Sequence, residues 1–307
     1  MHAKYSFLLP AYKTRFLKES LYSIIAQTYD SFQVIVSDDA SPEPIQGIVS
    51  TFDDARLHYR RNAMNLGASR LVNHWNMLLD RCESEYVIIA SDDDIYHPCF
   101  LERIEALTLQ HPEADVLRAM ACTIDQNGHT INEDKYNLSW LSTGNFIDFL
   151  LCPESVLCIG NFVFKTASLK AAGGFVQFPL GWKSDSATQI LLSGNGVPCT
   201  SDILFSFRMS GLNISSRNEL NSEKDAAKLN ALIAFDAWLV NHVDKSILDP
   251  YLCRIRNRLE GESRSYLWTL SSKEFWHLFK KFRKESWFRS YRNKLSFLWC
   301  WIRSKHA

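Results

Sequence analysis

The sequence lacks the features that would place it outside the cell, across a membrane or around a cysteine-bound metal. Its eight cysteines (Cys82, Cys99, Cys122, Cys152, Cys158, Cys199, Cys253 and Cys300) are scattered and include no C-x-x-C pair. The apolar start Tyr5–Pro10 is too short for a secretory signal. Scattered thiols without an export signal predict reduced residues in a cytoplasmic protein. No stretch reaches the roughly 20 apolar residues of a membrane span. His58, His74, His97, His111 and His129 show no ligand spacing, so they read as structural or exposed. Formal net charge is +0, which removes any whole-protein attraction to nucleic acid. There is no internal repeat and no low-complexity linker.

What is present is a globular composition, 46% hydrophobic over 307 residues, enough for one large domain or for a domain with a sizeable extension. Four apolar, strand-like runs alternate with helical periods through the first hundred residues. Tyr5–Leu9 is a short buried strand ended by Pro10, and residues 16–28 place Leu17, Leu21, Ile24 and Ile25 on one helical face. Phe32–Ser37 is a second strand, followed by a short helix through Ile45–Phe52 that Ser41 is placed to cap. Leu57–Arg60 is a third strand, and residues 69–79 turn Leu71, Val72, Trp75, Leu78 and Leu79 inward. Val87–Ala90 is the fourth. This order predicts a mostly parallel sheet covered on both faces, with ligands bound outside the carboxyl ends of its strands.

Two of those strand ends carry clustered acids: Asp38 and Asp39 after the second, and Asp92, Asp93 and Asp94 after the fourth. Three consecutive carboxylates repel one another. A hard divalent cation shared with substrate phosphates gives them a reason to be together. The plain structural alternative is an acidic turn at a helix N-terminus. Later segments predict a helix to about Gln110, a strand within Ala114–Ile124, a hairpin turn at Asn127-Gly128 and a helix over Gly144–Cys152. They also predict an extended Phe162–Phe164, a flexible break at Gly173-Gly174, a helix over Ser184–Leu192 and a strand over Ser201–Phe207. From Ser222 the pattern is helical, with breaks near Pro250, and the change of character near Asn221 suggests a boundary.

The ordered set of segments resembles the family 2 inverting glycosyltransferases of the bacterial O-antigen and capsular polysaccharide type. The motifs are Ser6-Phe-Leu-Leu-Pro-Ala-Tyr12, Glu19 to Tyr29, Val34-Ile-Val-Ser-Asp-Asp-Ala-Ser41, Asn65-Leu-Gly67 with Asn73-His-Trp-Asn76, and Ser84 to Asp94. Fainter matches follow at Gly173-Gly-Phe175, Ser184-Asp185 and Phe207 to Ser215. The resemblance implies the GT-A nucleotide-diphospho-sugar transferase fold over residues 1–217, with a helical, basic-aromatic region over 218–307. It implies a nucleotide-diphospho-sugar donor, most simply a UDP- or dTDP-sugar, a saccharide acceptor, and Mg²⁺ or Mn²⁺ as cofactor.

Carried over residue by residue, the resemblance assigns Pro10, Ala11 and Tyr12 to the base and ribose, with Asp39 accepting from the base N–H. Asp38 supports it, while Arg15, Gly67 and Arg70 approach the base or diphosphate. Asp92 faces the donor's ribose or sugar and Asp93 binds the metal. Ser91 stands where the family usually has an acid, and Ser210 where a His is frequent, so fewer protein ligands are expected on the cation. Asp185 takes the place of the catalytic base, which must accept the acceptor hydroxyl's proton; capping of the following helix is the plainer reading of the same residue. Gly174, Phe175 and Trp182 are candidates for the acceptor cleft, Trp182 being equally suited to the core. No Gly-rich, Lys/Arg-containing loop follows the first strand, which speaks against a nucleotidyltransferase.

Beyond Lys273 the chain carries Lys280, Lys281, Arg283, Lys284, Arg289, Arg292, Lys294, Arg303 and Lys305 against only Glu274 and Glu285. Phe275, Trp276, Phe279, Phe282, Trp287, Phe288, Tyr291, Phe297, Trp299 and Trp301 are interleaved with them. This composition suits a helix on the inner face of the cell membrane, next to a lipid-linked acceptor. It suits equally a small helical subdomain or a partner surface.

Overall fold

The first and fourth strands show why the sheet is buried on both sides. In the computed structural model, which describes residues 3–135, 138–150, 155–211, 222–282, 298 and 301–302, every residue of Tyr86–Ile89 is buried, and all but one of Tyr5–Ala11. Alternate side chains enter two separate cores. Phe7, Leu9, Tyr86 and Ile88 face one, and Leu8, Val87 and Ile89 the other. That is the period-two consequence of a strand covered on both faces.

The elements run β1 (Tyr5–Ala11), α1 (Leu17–Ile25), β2 (Phe32–Asp38), α2 (Ile45–Val49), β3 (Leu57–Arg61), α3 (Leu71–Asp80), β4 (Tyr86–Ile89) and β5 (Ile95–Tyr96). Next come α4 (Phe100–Gln110), β6 (Val116–Ile124), β7 (Thr130–Glu133), β8 (Trp140–Leu141), α5 (Thr143–Leu150), β9 (Phe162–Lys165), α6 (Thr166–Ala171), α7 (Ser184–Leu192) and β10 (Val197–Arg208). The chain continues with α8 (Ser222–His242), α9 (Lys245–Tyr266) and α10 (Ser272–Phe282).

Strand order is β3-β2-β1-β4-β9-β6-β10-β5, with β7 on β6 and β8 on β10. The first four strands are parallel as expected, and β10 is parallel to β6. The sequence did not reveal that β9 is inserted antiparallel between β4 and β6. Because β9 runs backwards, its preceding residues 158–161 lie beyond the carboxyl end of β4 and beside the middle of β6, where Asn161 Nδ2 donates to the Ala119 carbonyl at 2.8 Å. The carboxyl ends of β1, β2, β3, β4, β6 and β10 therefore share one edge with the start of β9.

Helices α1, α2 and α4 cover one face through Leu17, Leu21, Ile45, Phe100 and Ile104. The other face holds α3, α5 and α7, and its core runs without interruption into Leu229, Leu232, Phe235, Ile255, Leu259 and Phe275 of the C-terminal helices. The helical region after residue 218 thus shares a core with the sheet domain, while the boundary expected near Asn221 falls outside the described residues.

Several local expectations change. Ser41 does not cap α2, whose N-cap is Pro44; its hydroxyl donates to the Tyr12 carbonyl at 2.5 Å and accepts from the Glu43 N–H at 3.0 Å. Pro250 does not break the C-terminal helix but lies inside α9. The break precedes it, where the Asp244 carboxylate accepts from the Ser246 N–H at 2.7 Å. Gly173-Gly174 is an ordered turn, with φ of 88° and 87° closing α6. In the tail, Phe275 and Leu278 of α10 are buried and Trp301 stacks on Phe275 at 4.2 Å, whereas Trp276 is 45% exposed. Arg283, Lys284, Trp287, Phe288, Arg289, Tyr291, Arg292, Lys294, Phe297, Trp299, Arg303 and Lys305 lie outside the described residues, as do the side chains of Lys281 and Phe282. So do residues 151–152 of the expected helix over Gly144–Cys152 and residues 212–215 of the last family segment.

A Cβ built on Gly174 would sit 2.6 Å from Asn76 Oδ1, and that amide brackets Phe175 by accepting from its N–H at 2.7 Å and donating to its carbonyl at 3.1 Å. Gly174→Ala is therefore expected to lose about 1–3 kcal/mol of unfolding free energy. Urea denaturation followed by tryptophan fluorescence checks this; an unchanged midpoint would contradict it.

Candidate active site

The loops after β1, β2, β3, β4, β6 and β10 meet at the carboxyl edge, where backbone N–H groups outside the sheet ladder need partners. The clustered acids supply them. Asp38 is fully buried; it accepts from the Ser41 N–H at 2.8 Å and the Tyr59 hydroxyl at 2.7 Å, and is ion-paired with Arg61. This fixes the turn in which Ala40 is left-handed, with φ of 51°. Asp39 accepts from Asn62 Nδ2 at 2.9 Å and from the N–H groups of Leu66 and Gly67, each at 2.9 Å. Burial pushes its carboxyl up, but these donors together outweigh it and hold Asp39 below the ordinary carboxylate range. Gly67, at φ 65°, contributes its N–H to this clamp. His74 is buried beside it, 2.8 Å from the Ser37 hydroxyl and 3.2 Å from Asn62 Nδ2, and burial lowers its pKa.

Asp92 crosses to the first loop. One of its oxygens accepts the N–H groups of Tyr12 at 3.0 Å and Lys13 at 2.9 Å. Burial raises its pKa against those two donors. The Tyr12 backbone is thereby held on both sides, its N–H by Asp92 and its carbonyl by Ser41, while the residue is 41% exposed. Pro10 and Ala11 lie at the end of β1, where the Ala11 carbonyl accepts the Asp39 N–H at 2.9 Å. Arg15 reaches Gln126 Oε1 at 3.1 Å across the β6–β7 turn. Arg70 folds back on the carbonyls of Leu66 and Asn65 at 3.4 and 3.3 Å.

Asp93 differs from its neighbours, because both of its oxygens face side-chain hydroxyls: Ser91 Oγ at 2.9 Å and Ser210 Oγ at 2.9 Å. Asp94 is buried, accepts the Arg208 N–H at 2.9 Å and lies 2.6 Å from Ser91 Oγ. Burial, with the Asp93 charge beside it, pushes Asp94 up to about 8. Ser91 has one hydroxyl proton for two carboxyl neighbours. A protonated Asp94 resolves that shortage by donating to Ser91, which then donates to Asp93. Among the described residues no three His, Cys, Asp or Glu side chains converge as a metal cage. One carboxylate flanked by two neutral oxygens fits Mg²⁺ or Mn²⁺ completed by substrate phosphates, the usual manner of Mg²⁺.

Arg208 is a residue whose weight the sequence understated. Its fully buried guanidinium donates to the Asp93 carbonyl at 2.9 Å and to those of Asp125 and Gln126 at 3.4 and 3.3 Å. It also pairs with Glu19 at 2.9 Å and lies over the Phe16 ring. Its role depends on contacts made across the whole domain, which leave no local pattern.

Across the crevice, Asp185 occupies the first turn of α7 and is half-buried, accepting from the Ser186 N–H at 2.8 Å. Burial raises its pKa, against the Ser186 N–H and the Lys183 charge. The Cys158 thiol lies 3.4 Å from Asn161 Oδ1; burial pushes it well up, and both Asp94 and Asp185 add to the shift. Phe175 does not line this cleft, because its ring is buried against Trp75 and Phe164. Gly174 packs on Asn76. Trp182 points to the C-terminal helices, where its N–H donates to Glu262 at 2.8 Å and Lys228 Nζ lies 4.1 Å from its ring centre.

A parallel-centred α/β sheet with acid-bearing loops gathered at one carboxyl edge has the architecture of the GT-A fold. The profile described as Glycosyl transferase family 2 matches residues 6–172, and the chain belongs to that family. WcaA of Escherichia coli (strain K12), named for a colanic acid biosynthesis glycosyl transferase, is 27% identical over 200 residues, covering 58% of this chain and 67% of WcaA. Protein CgeD of Bacillus subtilis (strain 168) is 28% identical over 123 residues, 38% of this chain and 29% of CgeD; the chain thus spans less than a third of that relative's length. Among solved structures, residues 1–349 of S. aureus TarS with UDP superimpose with a TM-score of 0.70 at 19% identity, covering 91% of this chain and 79% of that one. The mannosyltransferase PcManGT of Pyrobaculum calidifontis, solved with GDP-Man and Mn2+, gives 0.59 at 15% identity, over 100% and 88% of the two chains.

Asp39→Asn removes the charge that the Leu66 and Gly67 N–H groups face and is expected to cost about 2 kcal/mol at neutral pH. The folded pKa of Asp39 lies below its unfolded value of about 3.9. Its stabilisation is therefore present above that value and lost as pH falls through the folded pKa. Urea unfolding of both proteins between pH 7 and pH 3 should show the difference narrowing at the acid end; a constant gap would contradict the clamp.

Proposed function

We propose that this protein transfers a sugar, with inversion, from a nucleotide-diphospho donor to a saccharide hydroxyl in cell-surface polysaccharide synthesis. The observation that carries the reading is the meeting of Tyr12, Asp39 and Asp92–Asp94 at one sheet edge, opposite a half-buried carboxyl with a raised pKa, Asp185. A uridine donor is supported by the TarS structures, solved with UDP and with UDP-GlcNAc; a polysaccharide product is supported by the name of WcaA.

The Tyr12 ring offers an exposed aromatic face for the base, held still by its pinned backbone. Asp39, whose oxygens are held by the Asn62, Leu66 and Gly67 donors, is the acceptor this reading gives to the N–H of a uracil ring. Asp92 faces the ribose or sugar. A divalent cation held by Asp93, with the Ser91 and Ser210 hydroxyls beside it, would neutralise charge on the departing diphosphate. Asp185 accepts the acceptor hydroxyl's proton as the oxygen bonds to the anomeric carbon. The bond from that carbon to the diphosphate breaks on the opposite side, its electron pair leaving with the nucleotide. A carboxyl made more basic by burial suits this step.

The acceptor is taken to be lipid-linked, and the protein to work peripherally at the inner face of the cell membrane. Trp276 and Lys280 are exposed on α10, the composition that favours an interface; no described helix is long and apolar enough to cross a membrane. A second reading, a non-catalytic nucleotide-sugar-binding relative docked at the membrane, is favoured by the serines at 91 and 210. The two readings separate on nucleotide release. A panel of UDP-, dTDP- and GDP-sugars, with and without Mn²⁺, should give release with a uridine or thymidine donor. Asp93→Asn should lower that release by about 10²–10³-fold. Asp185→Asn should abolish it while changing UDP affinity by no more than roughly twofold. No release with any donor would move the assignment to the binding protein, and an active Asp185→Asn would remove the base.

A further inference from the structure

Trp182 and Lys183 precede the helix that carries Asp185, and both end on one carboxylate of the C-terminal region. Trp182 Nε1 donates to Glu262 Oε1 at 2.8 Å, and Lys183 Nζ lies 3.0 Å from Glu262 Oε2. The Tyr266 hydroxyl completes the set at 3.2 Å from Oε1. The backbone they hold is unusual. Leu180, Gly181 and Lys183 have φ of 58°, 67° and 67°, and two of the three are not glycine. Side-chain-bearing residues stay in this region only where their surroundings over-determine them. Here the surroundings are Glu262 together with the Phe178 N–H on Ser184 Oγ at 3.0 Å and the Ala187 N–H on the Lys183 carbonyl at 3.0 Å.

We propose that Glu262 is a positioning residue for sugar transfer, fixing through Trp182 and Lys183 both the place of Asp185 and the charge that faces it. The proposal rests on the reading of Asp185 as the base. It makes the α8–α9 layer part of the acceptor half of the site rather than an appendage.

The charges around Asp185 give the coupling a sign. Lys183 lies at the N-cap of α7, and Glu262 and Arg258 of α9 line a cavity of about 40 Å³ with Lys183 and Ser186. From α8, Lys228 lies over the Trp182 ring and the Tyr266 ring. From the segment before β9 comes the Cys158 thiol, with Asp94 beyond it; α5 contributes only the apolar Ile147 and Leu150 to this cavity. Glu262 is itself pushed up by burial, but Lys183, Trp182 and Tyr266 together hold it below the ordinary range, so it is an anion opposing Lys183. Glu262→Gln leaves the Lys183 charge unopposed and favours the ionised Asp185. Lys183→Met removes the cation and disfavours it.

The test follows the Asp185 carboxyl by carbon-13 NMR of aspartate-labelled protein, its signal assigned by its loss in Asp185→Asn. Expected is a downward shift of its titration by about half a pH unit or more in Glu262→Gln and an upward shift of similar size in Lys183→Met. With the donor active in the panel above, Glu262→Gln should also lower kcat about 10-fold with donor KM within twofold. UDP binding and thermal unfolding of each variant report whether it is folded. Shifts in the same direction, no shift, or a wild-type kcat in Glu262→Gln would overturn the proposal. Wild-type turnover by Asp185→Asn would instead sink the base reading, since the titrations are read without substrate.

Discussion

The crevice is held by carboxylates that accept main-chain N–H groups across chain breaks of the sheet. Loops at the carboxyl edge leave the strand ladder, so their N–H groups have no regular partner, and an orphaned buried donor is costly. An ionised carboxylate is equally costly to bury without donors. Asp38 with Ser41, Asp39 with Leu66 and Gly67, and Asp92 with Tyr12 and Lys13 resolve both problems together. Each pairing also joins two loops or closes one, which makes a rigid rim out of segments without regular structure. Asp93 stands apart because its partners are hydroxyls that can rotate, which leaves its charge available.

The second core explains how the surroundings of Asp185 are built. Strand residues Leu8, Val87 and Ile89 pack on the same cluster as Phe175, Ile190, Leu232 and Leu259. The C-terminal helices therefore bury the far side of α7, and the turn before α7 is pinned from that side by Glu262. A carboxylate that must meet a hydroxyl within hydrogen-bond reach depends on such support. The same packing accounts for Trp182 and Phe175: aromatic residues beside the site serve the seam and the core.

Much of the first half of the chain was legible because its signals are local. Apolar runs ending in acids, with helical periods between them, determine both the parallel strands and the edge where they end. Ser184–Leu192 was readable as a helix for the same reason. The rest depends on contacts distant in sequence. The antiparallel β9 is four residues long and reads only as extended, yet its direction puts residues 158–161 beyond the carboxyl end of β4. Arg208 reaches Asp93, and Glu262 reaches Trp182, by contacts far along the chain. Pro250 misled because a proline is a break by local rules, whereas the capped start at Asp244 sets the helix boundary.

Ser91 and Ser210 alter the electrostatics of the loop without emptying it. An acid at 91 would stand against Asp93 and Asp94 and add a third charge where burial already raises Asp94 to about 8. A serine supplies a donor instead, and with Asp94 protonated its proton goes to Asp93. Of the neighbouring acids, Asp92 is tied to two main-chain N–H groups, whereas the Asp93 carboxylate meets side-chain hydroxyls. A diphosphate brings its own negative oxygens, so a cation shared with it needs little more from the protein than one carboxylate and neutral oxygens. The same loss of charge weakens any hold on a cation in the absence of nucleotide. On the proposed sugar-transfer reading the site is completed by its substrate, and the rigid rim of main-chain ties decides where that substrate lies.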